Sequence, residues 1–142
     1  MSAPTHSLIK APAMRGQCEA IDLLGKIALI EGHWQPRVVA EMNDYQFKVV
    51  KIEGEFVWHK HGDTDETFIV LDGELRIDFR GGPSGDGSIV LRAGQMAVVP
   101  KGIEHKPSAH AEVKVLLIEP RGVVNTGDNA TSERTVQNDQ WI

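Results

Sequence analysis

From residue 37 to residue 120 the chain is cut by Gly, Pro, Asp and Asn into short apolar runs, and that punctuation leaves no room for a long core helix. Eight runs stand out, at 38–42, 45–52, 56–60, 66–71, 74–80, 88–92, 95–99 and 113–119. They are strand-sized, and several alternate apolar with polar residues. The clearest is Glu74-Leu75-Arg76-Ile77-Asp78-Phe79-Arg80, in which Leu75, Ile77 and Phe79 share one face and the charges the other. So many strands in so short a span must close into a barrel or stack as a sandwich. Asp72-Gly73 is a tight hairpin signal and the Gly-rich 81–87 a longer loop, so antiparallel meander connections are predicted.

The flanks read differently. Residues 1–17 carry Pro4, Pro12 and Gly16 with no sustained period, as in an extended arm. At 19–30, Ile21, Leu24, Ile27 and Ala28 recur at helical spacing, and Pro36 closes the segment. Past residue 120 the chain turns polar. The predicted organisation is an arm and helix over 1–36, a barrel over 37–120 and a tail over 121–142 packed on or near it, one domain in all. A length of 142 residues with 41% hydrophobic content supplies one core.

Charge and cysteine content narrow the function. A net charge of -5 repels phosphate backbones and anionic lipid, so neither nucleic acid nor a membrane is an expected partner. No apolar run is long enough to span a bilayer, and the first residues do not read as a secretion signal, so a cytoplasmic location is expected. The glycosylation sequon at Asn129 then reads as loop composition. Cys18 is the single cysteine, which excludes an internal disulfide and a thiolate zinc site. Any metal must rest on His and carboxylate.

The segment with most chemistry is Trp58-His59-Lys60-His61-Gly62-Asp63-Thr64-Asp65-Glu66. In extended chain His59 and His61 project to one side and Lys60 to the other, a chelating pair. Glu66 opens an apolar strand, an odd place for a carboxylate unless a cation compensates its burial. His105 follows Pro100-Lys101-Gly102, a turn that can bring it back across a barrel mouth. From residue type alone, plainer alternatives stand beside these: a solvent-exposed His pair, an edge-strand charge, a turn-capping histidine. The same parity carries Val57, Phe68 and Val70 inward and leaves Trp58 outward. On the strand 45–52 inward parity is not fixed, because Phe47, Val49 and Val50 are apolar on both faces, so Tyr45, Gln46 and Lys48 have no assigned direction. His6, His33 and His110 are read as surface or loop residues.

Two motifs decide among these readings. Gly54, His59, His61, Glu66 and Gly73 follow one pattern and Gly94, Pro100, Gly102 and His105 a second, and in both the chain resembles the cupin superfamily. It is similar to small single-domain bacterial cupins of the cupin 2 type, often labelled mannose-6-phosphate isomerase-like. The chain departs twice from the family pattern: only four residues separate Gly54 from His59, and Ala109 stands where the second motif usually has Asn. The resemblance implies a mainly β double-stranded β-helix, the jelly-roll or cupin barrel, with one N-terminal helix. It also implies metal ligation by His59, His61, Glu66 and His105, with no catalytic side chain assigned.

Such a site would take one divalent ion per chain, Fe, Mn, Ni or Zn. The expected function is a metal-dependent enzyme, a dioxygenase, isomerase or lyase acting on a small carbonyl- or oxygen-rich metabolite. The alternative is a metal-anchored protein that binds or senses a small molecule without turnover. A homodimer is also expected, with the helix face at Ile21, Leu24 and Ile27 in need of cover and Trp34 and Trp58 at a two-fold interface.

Overall fold

The computed structural model describes residues 17–129 and 132–142. The arm, His6 and the end of the sequon lie outside the described residues. The first described element is a short helix, α1 (Leu23–Ala28), capped by Asp22, whose carboxylate accepts from the Gly25 amide at 3.0 Å. It is about half the length that the periodicity predicts, because this cap sits three residues into the predicted helix. The buried face shifts with it: Ile27 and Ile30 are buried and Leu23 is half-buried, while Leu24 is 48% exposed. Together with Val39, Val49 and Leu116 they form an apolar cluster, so the helix is covered by its own barrel.

Seven strands follow: β1 (Arg37–Met42), β2 (Tyr45–Glu55), β3 (Glu66–Asp72), β4 (Glu74–Gly82), β5 (Gly85–Arg92), β6 (Met96–Val99) and β7 (Glu104–Pro120). All pairings are antiparallel, in the order β1-β2-β7-β3-β6, with β4 joining β5 on one side and the first part of β7 on the other. β7 therefore belongs to both layers. Gly54, at φ +83°, marks the register break that bends β2 to follow it. The interior between the layers is filled by Val50, Ile52, Phe68, Val70, Leu75, Ile77, Val115 and their neighbours. This is the mainly β barrel with one short helix that the resemblance implies.

Three predictions are corrected. The connections are not a meander: β3 and β4 follow one another but do not pair, and Asp72-Gly73 carries the chain from one layer to the other. Gly73 passes close to Glu112 and Val113 there, in a left-handed conformation that suits a glycine. The run 56–60 is no strand, touching β7 through the Phe56 amide, which donates to the Pro107 carbonyl at 2.9 Å, and through an isolated bridge between His59 and His105. The reason lies across the ladder, where Pro107 lacks the N–H that would continue it. Trp34, finally, is not at the surface: it is 6% exposed and stacks on Phe56 with ring centroids 4.6 Å apart.

The tail returns to the barrel. Val38 donates to the carbonyl of Gln140 at 2.7 Å and Ile142 to that of Val38 at 3.1 Å, adding a parallel bridge to the free edge of β1.

Candidate metal centre

His59, His61, Glu66 and His105 converge inside the barrel, all buried, with one ligand atom from each lying within 4.8 Å of the others. They arrive from three places. Glu66 is the first residue of β3, opposite Val99 of β6. His105 is the second residue of β7. His59 and His61 sit on the connection between β2 and β3, whose path is set by the amides and carbonyls around it. His59 and His105 exchange backbone hydrogen bonds of 3.0 and 2.8 Å, Gly102 donates to the His61 carbonyl at 2.8 Å, and Asp128 of the tail donates to the Lys60 carbonyl at 2.9 Å. The alternation expected of this segment holds at the side chains: Lys60 is exposed, and Trp58 turns out beneath the Arg80 guanidinium, 4.1 Å from the ring centroid.

Second contacts fix the rings. His59 Nδ1 donates to the carbonyl of Val57 at 3.0 Å and His105 Nδ1 to that of Ile103 at 2.9 Å. A carbonyl only accepts, so each Nδ1 carries the proton and each Nε2 presents a lone pair inward. Glu66 Oε1 lies 3.2 Å from the Nε2 atoms of both His61 and His105. The lone pairs of His59 and His105 thus face the Glu66 carboxylate across a buried centre, and a cation there, displacing any proton on His61, would satisfy all four residues. The donor set, three imidazole nitrogens and one carboxylate, fits a divalent transition-metal ion.

Ionisation agrees with that arrangement. Burial, then the neighbouring His105, pushes His59 down to about 4, so its ring is neutral at physiological pH. Burial would also lower His61, but the hydrogen bond to Glu66 and the Glu66 charge outweigh it and raise its pKa. Burial opposes the Glu66 charge, yet His105 and His61 hold the carboxyl well below the usual carboxylate range.

Beside His59 and Glu66 lies a narrow cleft that opens toward solvent. Its wall is apolar, formed among others by Trp34, Phe56, Phe68 and Leu117. Asn125 of the tail is the polar side chain in the wall besides the two ligands, and both ends of its amide are engaged, with the Arg134 carbonyl at 2.8 Å and the Val136 amide at 3.1 Å. Phe68 and Val70 point inward as their parity predicts, and Val57 is half-buried against the core.

The sequence did not reveal a second polar group in the barrel. Gln46 and Lys48 of β2 face inward, and Lys48 Nζ meets Glu119 Oε1 at 3.0 Å, with both side chains buried. Burial, then the charge of Glu66, pushes the Glu119 carboxyl up to about 8 against the pull of Lys48. Parity could have found this pair only with an anchor, because Val49 is equally buried on the outer face beneath α1. Tyr45 is exposed, His110 is exposed, and His33 pairs with Glu112 at 2.9 Å, away from the metal centre.

Comparison with known proteins agrees. The family model described as "Cupin domain" matches residues 47–119, and the chain belongs to the cupin family. A cupin-2 domain-containing protein of Shewanella frigidimarina NCIMB 400 is 59% identical, covering 72% of this chain and 95% of its own, with a TM-score of 0.67. An uncharacterized protein of Bacillus subtilis (strain 168), YdbB, is 37% identical over 81 residues, 57% of this chain and 68% of its own length. Hydroquinone 1,2-dioxygenase from Sphingomonas sp. TTNP3, solved with 4-nitrophenol, shares the fold at 23% identity and a TM-score of 0.66, over 78% of this chain and 35% of its own. Among the described residues no helix is long and apolar enough to cross a membrane.

Proposed function

We propose that this chain is a metal-dependent enzyme of the dioxygenase, isomerase or lyase class, acting on a small carbonyl- or oxygen-rich metabolite. One divalent ion, Fe, Mn, Ni or Zn, would be held by His59, His61, Glu66 and His105. The observation that carries this reading is the ligand set itself, four buried donors converging beside an apolar cleft that opens toward solvent. When bound, such an ion supplies Lewis acidity and open positions for exchange, and a redox-active one adds chemistry with dioxygen. The chain's own part is to hold the His59 and His105 rings in one orientation through Val57 and Ile103, to exclude water with the apolar wall, and to orient the bound molecule against Phe56 and Phe68. The hydroquinone dioxygenase likeness supports the fold on which such chemistry is built.

The wall favours a second reading as well, because among the described residues the polar side-chain amide that it offers besides the ligands, that of Asn125, is already engaged. A metal-anchored binding or sensing protein needs no more than that. Protein loaded in turn with Fe(II), Mn(II), Ni(II) and Zn(II) and screened against diketones, keto acids and sugar phosphates, with oxygen uptake followed in parallel, separates the two. Turnover with any of them supports the enzyme. Ligand-dependent stabilisation without product supports the binding protein.

We also propose a homodimer. Trp34 is withdrawn into the core and Ile27 is covered by the barrel, and the surface proposed for pairing is the outer face of β6, where Met96 and Val98 are 56% and 52% exposed.

A further inference from the structure

A row of polar side chains crosses the barrel interior beside the metal centre, and the ligand set does not account for it. Gln46 of β2 and Glu119 of β7 are direct cross-strand partners. On the other side of β7, Thr67 of β3 pairs with Ile118, so Glu66 takes the next rung, opposite Glu119. Gln46, Glu119 and Glu66 thus stand side by side on three adjacent strands, 0%, 1% and 4% exposed.

The hydrogen bonds of this row leave two oxygens over. The Gln46 amide nitrogen donates to Glu41 Oε2 and to Asp139 Oδ1, both at 2.8 Å, which assigns Oε1 as the acceptor end of the amide. Lys48 Nζ donates to Glu119 Oε1 at 3.0 Å and to the Val123 carbonyl at 3.3 Å, so the hydrogen bond of Glu119 is to Lys48 and not to a ligand. Gln46 Oε1 and Glu119 Oε2 remain, two buried acceptors with no hydrogen-bond partner among the described residues. Neither serves the other while both are bare. A proton on Glu119 Oε2 changes that, because the resulting O–H is the donor that Gln46 Oε1 lacks.

The charges around Glu119 favour that proton in the absence of a cation. Lys48 faces it from β2, Glu66 from β3 and His61 from the connection before β3, with Asp128 of the tail acting on His61 in turn. Glu66 already offsets the charge of Lys48, so a second carboxylate beside it in a buried row is disfavoured, and the same two causes, burial and Glu66, raise the pKa of Glu119. A proton on His61 weakens the repulsion without removing it. A divalent cation among the ligands reverses the balance, since its charge exceeds what Glu66 offsets.

We propose that Glu119 is a proton store of the metal centre: it holds a proton on Oε2 toward Gln46 Oε1 while no cation is bound, and releases it to solvent, becoming the carboxylate partner of Lys48, when a divalent ion is held. Metal uptake then displaces a proton from Glu119 besides the one on His61. The release half of the inference rests on the proposed metal centre, whereas the proton itself is a property of the metal-free chain.

Infrared difference spectroscopy of the full-length protein tests both halves, because a protonated carboxyl has a C=O stretch well separated from that of a carboxylate. The metal-free protein at near-neutral pH is expected to show one such band, which moves in D2O and is lost as the pH rises through about 8. Glu119→Gln keeps a contact for Lys48 and another for Gln46 but cannot ionise, and its spectrum is expected to lack the band. Gln46→Met, which removes the acceptor, is expected to shift the band without abolishing it, and that comparison stands even if Glu119→Gln does not fold. Zinc, taken to one equivalent by elemental analysis, is expected to abolish the band in the unaltered protein. No band in the metal-free protein, or an unchanged one in Glu119→Gln, overturns the inference while leaving the metal centre in place. A band that survives one bound equivalent of zinc overturns the release. A protein that takes up no zinc overturns the functional reading, and the release with it.

Discussion

Each ring of the cluster has a different standing toward protons, and that difference shapes how the site takes up metal. His59 is neutral down to about pH 4, so it offers its lone pair over the whole physiological range. His61 has a raised pKa because its proton sits against Glu66, and a ligand must give that proton up. The sign follows directly: protonated His61 has no lone pair, so affinity is fully present above its pKa and is lost as pH falls through it. Zinc affinity is therefore expected to fall as the pH drops through the raised pKa of His61, over a range that starts above the ordinary imidazole value of 6.5, with proton release on binding growing toward the lower end of that range. Calorimetric titration in buffers of differing ionisation enthalpy reads both quantities. An affinity constant across that range would show that His61 carries no proton for the metal to displace. At this scale the shared side of His59 and His61 was legible in the sequence, because two residues apart in extended chain means one side and that rule needs no regular strand, whereas the grouping of Glu66 and His105 with them was read from the family motifs. The direction of Lys48 was not legible, since β2 is buried on both faces and alternation leaves no mark there.

Elements hold the site in place, and they differ in how much of themselves the sequence displays. β4 is plain because one face is wet; β7 is half hidden, since Glu104–Pro120 opens with Lys106, Pro107, Ser108 and His110, whose polarity conceals a strand shared between two layers. The helix was visible as a period but misplaced in phase, and substitutions expose the correct phase. Ile27→Ala removes a side chain with no exposed surface and is expected to cost about 2–4 kcal/mol, whereas Leu24→Ala is expected to stay within about 0.5 kcal/mol. Chemical denaturation of the two variants checks this, and equal losses would place Leu24 in the packed face after all. The tail, too, is an element of the site. A Cβ at Gly127 would collide with the Lys60 carbonyl, at a φ of +55° that already disfavours a side chain. Gly127→Ala is expected to lower stability by about 1–3 kcal/mol and to weaken zinc binding by moving the tail off the segment that carries His59 and His61. Gly122→Ala, at φ +89° with nothing near its Cβ, is strained without touching the site and is expected to leave zinc affinity unchanged. Metal titration of the pair separates the two effects.

At the scale of the whole molecule, the two layers share β7 and enclose the metal centre, while the outer sheet face is covered at one end by α1 and open at the other. Ile69 and Leu116, cross-strand neighbours, continue the apolar surface from the helix toward Met96 on β6. A second copy of the chain covering Met96 and Val98 is the arrangement proposed for this surface. Light scattering at micromolar concentration is expected to give twice the 15.6 kDa of one chain, and Val98→Asp to halve that mass. A single-chain mass for the unaltered protein would contradict the dimer. The crossing of the chain between layers was not legible, because Asp72-Gly73 has the composition of a hairpin and only tertiary packing against Glu112 and Val113 decides that it is not one.

The metal content of the protein tests the central claim most directly, since the fold, the tautomers and the cavity are all read around one cation held by His59, His61, Glu66 and His105. Elemental analysis is made after zinc loading and dialysis into chelator-free buffer, for the unaltered chain and for His61→Ala, His105→Ala and Lys60→Ala. The account predicts about one equivalent per chain for the unaltered protein and for Lys60→Ala, whose side chain points away, with severe loss in the two histidine variants. Background metal in the unaltered protein, or the same content in all four proteins, would contradict it.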